Sequence, residues 1–213
     1  MYKLSIQNQE DTKEISMVNS WEEVTIGQFI QIEQIATADI PDTYKAVNFV
    51  SVLTGESIDY LESLPITVFG RLNNQTNFIT TKIPKVTHKD TYELNNRIYK
   101  VEADVSAITT SQYIDYQNYI KDGNFINIMS LWLIPEGHKY NDGYDMNRVK
   151  LDIESMKLLD VQAVAFFLRT QLAAYILIMK DYSKKEMKKK KASKKDIRQM
   201  ETLYNNMASS LLL

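Results

Sequence analysis

The chain contains no cysteine, and turn-forming residues are scarce: 213 residues include six Gly, four Pro and two His. The absence of cysteine excludes a disulfide framework and thiolate metal sites, and it is typical of a reducing compartment. Few Gly and Pro argue against an all-β fold, which needs many tight turns. The first residues, MYKLSIQNQEDTKE, contain no apolar run, so we expect no signal peptide.

Signatures of enzymes and cofactor-binding proteins are also missing: the sequence has no P-loop, dinucleotide fingerprint, HExxH or GxSxG pattern. His88 lies in a polar stretch and is expected to be a solvated loop residue. His138 lies in the oxygen-rich segment EGHKYNDGYD, where Glu136, Asp142 and Asp145 are candidate ligands of a divalent cation. That segment lacks EF-hand spacing, and its Asn, Asp and Gly residues favour a turn. We therefore predict a non-catalytic protein with no cofactor and no metal.

Charge is distributed unevenly along the chain, although the net charge is only −2. Residues 180–198 contain ten Lys or Arg and three Asp or Glu, a local balance of +7. The remaining residues contain fifteen basic and twenty-four acidic side chains, a balance of −9. The composition thus predicts an acidic body with a basic C-terminal segment.

The first part of the chain shows strong helix-start signals. Two overlapping capping boxes, Ser20/Glu23 and Thr25/Gln28, predict a helix that begins near Ile26, because a hydroxyl at the cap and a longer polar side chain three residues later satisfy free backbone N–H groups.

Apolar spacing predicts further helices over residues 42–53 and 58–64 and another that ends near residue 78, with Gly55 as a C-cap. A strand is predicted over residues 3–6, followed by a polar turn region.

The middle of the chain predicts a β-hairpin. Residues 92–94 and 97–101 have strand character, and Asn95-Asn96 between them tolerates the positive φ that a tight hairpin turn requires.

After the hairpin, the earlier pattern returns. The segment VTIGQFI matches ITTSQYI, so the Thr25/Gln28 cap recurs as Thr109/Gln112; VLTG is followed later by WLIPEG, and LESL by IESM. These matches in the same order predict two diverged tandem units, although capped amphipathic helices can also resemble one another by chance. The predicted fold class is α+β and predominantly helical: each unit has a small β element followed by a helical cluster. The predicted divisions are residues 1–78, 79–180 and 181–213.

One apolar segment, residues 161–179, is long enough to cross a bilayer. Arg169 lies at its middle, and a central Arg costs about 2.5–3.5 kcal/mol on insertion scales. Gln162 adds to that cost. We therefore predict a buried core helix and no stable membrane span.

The basic segment contains eight lysines that would attract an anionic partner, with no interleaved aromatic residue for base stacking. Three interpretations stay open: a solvated helix or linker, a nonspecific nucleic-acid contact, and a contact with an acidic protein surface. The lysines are Lys184, Lys185, Lys188, Lys189, Lys190, Lys191, Lys194 and Lys195.

The last residues predict a docking helix. Apolar side chains recur at spacings of three and four, which is a short heptad seam. A helix of this length is marginal alone in water and should dock on its own chain or on a partner. The seam comprises Ile197, Met200, Tyr204, Met207 and Leu211.

Four segments carry a family resemblance: SWEEVTIGQFIQIEQI, VLTGESIDYLESLP, NRIYKVEADVSAITTSQYIDYQNYI and LIPEGHKYNDGYD. They resemble a family of small proteins encoded among the structural genes of tailed phages of gut Bacteroidetes, crAss-like phages included. The similarity covers about residues 18–180 and leaves out the lysine segment and the final helix. The resemblance implies a role in virion morphogenesis and supplies no catalytic residues.

The sequence thus predicts a non-catalytic structural protein of a tailed phage, located in the virion and, during assembly, in the host cytoplasm. Its expected partners are other virion proteins, in a homo- or hetero-oligomer, with possible nonspecific DNA contact. Two alternatives remain: a tail assembly chaperone absent from the mature particle, and a nonspecific nucleic-acid-binding accessory protein.

Overall fold

Helices dominate the chain, and two small antiparallel sheets accompany them, as the α+β, predominantly helical prediction requires. The computed structural model describes residues 1–7, 12–102, 104 and 108–212, with side chains described as far as residue 209. The strands are β1 (Tyr2–Gln7), β2 (Thr12–Met17), β3 (Thr91–Leu94), β4 (Arg97–Val101) and β5 (Leu133–Pro135). The helices are α1 (Ile26–Thr37), α2 (Asp42–Thr54), α3 (Ile58–Glu62), α4 (Ile66–Asn74), a 3-10 helix (Gln75–Thr80), α5 (Thr110–Lys121), α6 (Phe125–Ser130), α7 (Met146–Glu154), α8 (Leu158–Lys189) and α9 (Lys194–Leu212).

The chain divides into two compact units, and each is described by itself below. Unit 1 comprises residues 1–87 and 151–162, and unit 2 comprises residues 88–150 and 163–213. These ranges differ from the divisions proposed from the sequence, because residues 151–162 return to unit 1 and the C-terminal segment belongs to unit 2.

Unit 1 begins with a hairpin whose second strand the sequence analysis missed. The strand predicted over residues 3–6 is β1, but β2 lies in the region predicted as a polar turn. In β2 only Ile15 and Met17 are buried, and the polar residues before them are exposed. Since β2 has so short an apolar alternation, it depends on pairing with β1, where Leu4 lies opposite Ile15.

Helix α1 begins as the second of the two capping boxes predicts. The Thr25 side chain accepts a hydrogen bond from the Gln28 N–H, and the Gln28 side chain accepts one from the Thr25 N–H. The first box is not used as a helix start, because Ser20 and Glu23 close only a turn, with a backbone bond of 3.1 Å. The predicted C-cap is confirmed at Gly55, which follows α2 with φ of 75°.

Residues 151–162 complete unit 1 through backbone pairing beside the α1 cap. The Ile26 N–H donates to the Met156 carbonyl at 2.9 Å, and the Leu158 N–H donates to the Val24 carbonyl at 2.8 Å. A Cβ on Gly27 would lie 3.1 Å from the Glu154 carbonyl oxygen, so a larger residue there would crowd this contact.

Unit 2 contains the predicted hairpin, in which Asn95 and Asn96 have φ of 49° and 62°. Strand β4 also pairs with β5. The match of VLTG to WLIPEG predicts that a helix ends within residues 132–137, but α6 ends at Ser130 and Leu133 already belongs to β5.

One side-chain hydrogen bond recurs in the two units. Gln28 at the start of α1 donates from Nε2 to the Val52 carbonyl at 3.1 Å, near the end of α2. Gln112 at the start of α5 donates from Nε2 to the Leu131 carbonyl at 2.8 Å, directly after α6. In each unit the same residue type therefore ties the first helix to the end of the second.

A backbone hydrogen bond to the next carbonyl recurs as well. Val18, which follows β2, donates its N–H to the Leu53 carbonyl at 3.0 Å. Glu102, which follows β4, donates its N–H to the Trp132 carbonyl at 2.8 Å. The β-hairpin, the first helix and the end of the second helix are thus joined by the same two hydrogen bonds in both units.

The Gln112 bond predicts a stability effect, because Gln112 is 3% exposed and its partner carbonyl is buried with it. We expect Gln112→Met to keep the side-chain volume but to leave the Leu131 carbonyl without this donor, at a cost of about 1–3 kcal/mol. The free energy of unfolding, measured by urea denaturation, tests this. Asn118→Met, at an exposed position of the same helix, should be nearly neutral. Equal stabilities of the two variants would contradict the prediction.

Candidate interaction surface

The C-terminal part of unit 2 is a helical hairpin formed by α8 and α9, and we call residues 163–209 the C-terminal hairpin. Three contacts join the two helices. Lys184 Nζ lies 2.6 Å from the Glu201 carboxylate, and the Ser183 and Tyr204 hydroxyls lie 3.2 Å apart. Lys180 Nζ donates to the Asn205 side chain at 3.1 Å. These contacts show that α9 docks on its own chain.

The predicted apolar seam of α9 is placed partly as expected. Ile197, Met200 and Tyr204 are half-buried, but Met207 is 45% exposed and Ala208 is buried instead. The buried side of α9 therefore continues from Tyr204 to Ala208, four residues later, which is a normal α-helical spacing. The side chain of Leu211 lies outside the described residues.

The eight lysines are divided between two helix ends and the turn that joins them. Lys184 and Lys189 are held in ion pairs with Glu201 and Glu186, both at 2.6 Å. The other six are exposed, and no ion pair involves them among the residues described here. The segment is neither a linker nor a uniform helix, since α8 extends to Lys189 and α9 begins at Lys194.

Helix α8 has one buried and one exposed apolar side, which corrects the prediction of a buried core helix. Val164, Leu168 and Ala173 are buried. On the other side Phe166 is 66% exposed and Ile178 is 64% exposed. The helix is apolar nearly all round, so one packed side leaves the rest uncovered.

The exposed side forms a continuous stripe along α8. Its members recur at spacings of three and four, so each side chain lies beside the next, and over sixteen residues the stripe winds around part of the helix. We call it the α8 stripe: Phe166, Thr170, Ala174, Leu177, Ile178 and Tyr182. The sequence contained only a weak signal, the polar residues Gln162 and Thr170, because small residues lie on both sides of the helix and Ala173 is buried.

Helix α8 also passes a length-and-composition test for a membrane-crossing helix. A window of 18 residues has a mean hydropathy of 1.6, and 28% of it is buried. No other helix of the described chain passes that test. One such helix is weak evidence for a membrane protein, and Arg169 within it counts against insertion.

The segment EGHKYNDGYD is a series of turns, with positive φ at Gly137, Asn141 and Gly143. The Asp145 carboxylate accepts hydrogen bonds from the N–H groups of Asn147 and Arg148. It thus caps the start of α7. Within the described chain no three metal-ligating side chains gather in one place.

A tyrosine–carboxylate hydrogen bond joins the segment EGHKYNDGYD to α5. The Tyr140 hydroxyl donates to the Asp115 carboxylate at 2.5 Å. Burial, followed by the hydrogen bond to Asp115, raises the pKa of Tyr140 well above its ordinary value. The hydroxyl therefore stays protonated as a donor, which is a structural role.

His88 is not a freely solvated loop residue, which corrects the sequence-based prediction. Its ring stacks on Phe167 of α8, with centroids 3.7 Å apart and planes inclined by 14°. Its Nε2 lies 3.7 Å from Asp90. Stacking on an apolar ring fixes the histidine as a packing residue at the edge of unit 2.

Comparison with known proteins identifies no relative: no family model, no curated protein and no solved structure matches the chain significantly.

Charge separates between the two units. Unit 1 contains fourteen acidic and seven basic residues, a balance of −7. Unit 2 contains thirteen acidic and eighteen basic residues, a balance of +5, and residues 163–213 account for eleven of the basic and four of the acidic ones. The two units thus carry net charges of opposite sign.

Because the Lys184–Glu201 pair joins α9 to α8, we predict that the docking of α9 weakens at low pH. The hydrogen bond from Lys184 holds the pKa of Glu201 below its ordinary value of 4.5. A carboxyl group whose pKa is lower in the folded protein than in the unfolded chain stabilises the fold at pH values above the unfolded pKa. That stabilisation is lost as the pH falls through the folded pKa. We expect the amide protection factors of α9 to fall about two-fold as the pH drops below about 4.5.

Glu201→Gln should lower α9 protection at pH 7 and remove this pH dependence. Glu186→Gln is the matched control, because Glu186 pairs with Lys189 inside α8 and does not join the helices. Unchanged pH dependence in Glu201→Gln would contradict the role given to the pair. Hydrogen exchange followed by mass spectrometry provides the measurement.

Proposed function

We propose that this chain is a non-catalytic structural protein of a tailed bacteriophage particle that assembles by packing with other copies of itself and with other virion proteins. The observation that supports assembly is the α8 stripe, a row of large apolar side chains that the chain leaves in water. Phe166, Ile178 and Tyr182 are each at least 60% exposed. Contiguous exposed apolar surface of this kind marks an interaction site.

The free energy available from covering the stripe is considerable. Full burial of a large apolar side chain contributes about 1.5–3 kcal/mol. Two copies that cover each other's stripes would bury at least six such side chains, enough to offset part of the entropy lost on association.

The stripe is self-complementary, which favours a second copy as the occupant. Phe166 and Tyr182 lie eight residues on either side of Ala174. In an antiparallel two-fold pairing centred on Ala174, Thr170 of one copy lies beside Ile178 of the other, and because the stripe winds around the helix, Phe166 and Tyr182 lie on the two flanks of the contact. The small Ala174 at the axis permits close approach of the two helices, and a two-fold interface uses the same patch twice.

Opposite charges on the two units favour further contacts among copies. The acidic unit 1 of one molecule attracts the basic C-terminal hairpin of a neighbour, which adds orientation and speed to the encounter. Charge would thus orient the encounter, while the burial of apolar side chains would supply the binding free energy.

The phage setting rests on the sequence resemblance, which spans about residues 18–180. It supports residence in the virion, with assembly in the host cytoplasm. The same exposed stripe also suits a tail assembly chaperone, which would cover an apolar partner for a limited time and then leave.

Light scattering on the purified full-length chain tests self-association. We expect a mass at least twice the 24.7 kDa of one chain and a monomer for the double variant Phe166→Lys/Ile178→Lys. Tyr44→Lys/Ile66→Lys is the matched control, since both side chains are exposed helical residues of unit 1 outside the stripe. A monomeric parent chain, or an oligomer that the stripe variant leaves intact, would overturn the proposal.

Mass spectrometry of particles purified from a phage that encodes this chain separates the two assembly roles. A virion component should be present in a fixed copy number relative to the capsid protein, whereas a chaperone should be found in the infected-cell lysate and be missing from particles. If the chain is absent from purified particles, the structural role is wrong and the chaperone role is favoured.

A further inference from the structure

The turn between α8 and α9 gathers unpaired positive charge at one end of the C-terminal hairpin. We call the exposed, unpaired lysines of this region the lysine tip: Lys185, Lys188, Lys190, Lys191, Lys194 and Lys195. The first two lie in the last turns of α8, the next two in the connecting turn and the last two in the first turn of α9. The turn thus places lysines from two helices at the same end of the C-terminal hairpin.

The turn has a defined conformation. Lys191 has φ of 57°, and the Ala192 N–H donates to the Met187 carbonyl at 3.0 Å, which closes the end of α8. Ser193 then caps α9, because its hydroxyl accepts from the Asp196 N–H at 3.2 Å. Helix ends fixed in this way hold the lysines near one another without any ligand.

The tip retains a positive charge because basic residues outnumber acidic ones: residues 185–196 contain seven Lys and two Asp or Glu, a balance of +5. Glu186 pairs with Lys189 and Glu201 pairs with Lys184, so neither carboxylate forms an ion pair with a lysine of the tip, and Lys188 acts on the charge of Glu201 only at longer range. Asp196 accepts a hydrogen bond from the Ser193 hydroxyl at 2.7 Å. Six like charges close together repel one another, and a dense anionic partner relieves that repulsion.

The chemistry of the tip fits phosphates better than an acidic protein. Protein interfaces are depleted in lysine and depend on buried aromatic or arginine anchors, and the tip has neither. Its nearest apolar side chains, Met187 and Ala192, are half-buried within the hairpin. Lysine is a compact, mobile point charge that contacts phosphate oxygens without a required bidentate geometry. Duplex DNA offers one negative charge for every ~1.7 Å of its axis.

We propose that the lysine tip binds the phosphate backbone of duplex DNA without reading its sequence. The tip has no arginine, asparagine or glutamine that could read a base edge, and no aromatic side chain on which single-stranded bases could stack. The tip adjoins the end of the α8 stripe, since Lys185 lies three residues after Tyr182, but it shares no residue with the stripe, so the two proposals are tested with different variants.

Fluorescence anisotropy with a labelled 30-base-pair duplex tests the proposal on the full-length chain between 50 and 200 mM KCl. Each lysine–phosphate contact contributes about −0.9 to the slope of log affinity against log salt. Six contacts predict a loss of affinity of about 10³-fold over this range. The variant Lys188→Gln/Lys190→Gln/Lys194→Gln/Lys195→Gln should bind more weakly at 50 mM KCl and lose only about 10-fold.

The control removes four lysines elsewhere: Lys82→Gln/Lys85→Gln/Lys121→Gln/Lys139→Gln. All four are exposed, and the net charge changes by the same amount. This variant should keep the steep salt dependence of the parent chain. Circular dichroism checks that both variants keep their helix content, which is expected because no capping residue changes.

Two outcomes would overturn the proposal. One is an equal salt slope for the tip variant and the control variant, which would mean that overall charge and not the tip determines binding. The other is displacement of the duplex by polyglutamate at an equal concentration of charges, which would assign the tip to an acidic protein surface. A duplex of unrelated sequence should compete fully, because phosphate contact does not read bases.

Discussion

The constraint on which the account depends is that α8 is apolar around most of its circumference while the chain covers only one of its sides. Val164, Leu168 and Ala173 contribute to the core, and Phe166, Ile178 and Tyr182 remain in water. A helix with this pattern is stable when something else covers the second side. The docking of α9 stabilises the far end of α8 through Lys184 and Glu201 but leaves the stripe open.

Each unit is held together by the same pair of hydrogen bonds. In each unit a hairpin, a capped helix and the end of a second helix are joined by a glutamine side chain and a backbone N–H that donate to successive carbonyls. Gln112 is the more buried of the two glutamines, so its bond is the more costly to lose.

Local signals in the sequence predicted much of the fold. The cap at Thr25, the stop at Gly55 and the turn at Asn95-Asn96 are each determined by residues within a few positions, and the structure contains all three. Strand β2 was missed because its polar residues form a strand only when paired with β1. The stacking of His88 on Phe167 was missed for the same reason, since it joins residues far apart in sequence.

The candidate surfaces were only partly predictable. The lysines were recognisable as a charged segment, but their division between two helix ends depends on the turn at Lys191 and on two carboxylates that pair with Lys184 and Lys189. The exposed side of α8 could not be separated from its buried side by hydropathy alone, because Phe166 and Val164 are both apolar. Which side is covered depends on packing partners that lie far away in the sequence.

The central claim is that another copy of this chain covers the α8 stripe. The most direct measurement places a photoreactive benzoylphenylalanine at position 178 in the full-length chain and identifies cross-linked peptides by mass spectrometry after irradiation. We predict cross-links to the stripe of a second copy, concentrated near Thr170, in covalent dimers. Cross-links confined to residues of the same chain, with no covalent dimer at any protein concentration, would contradict it.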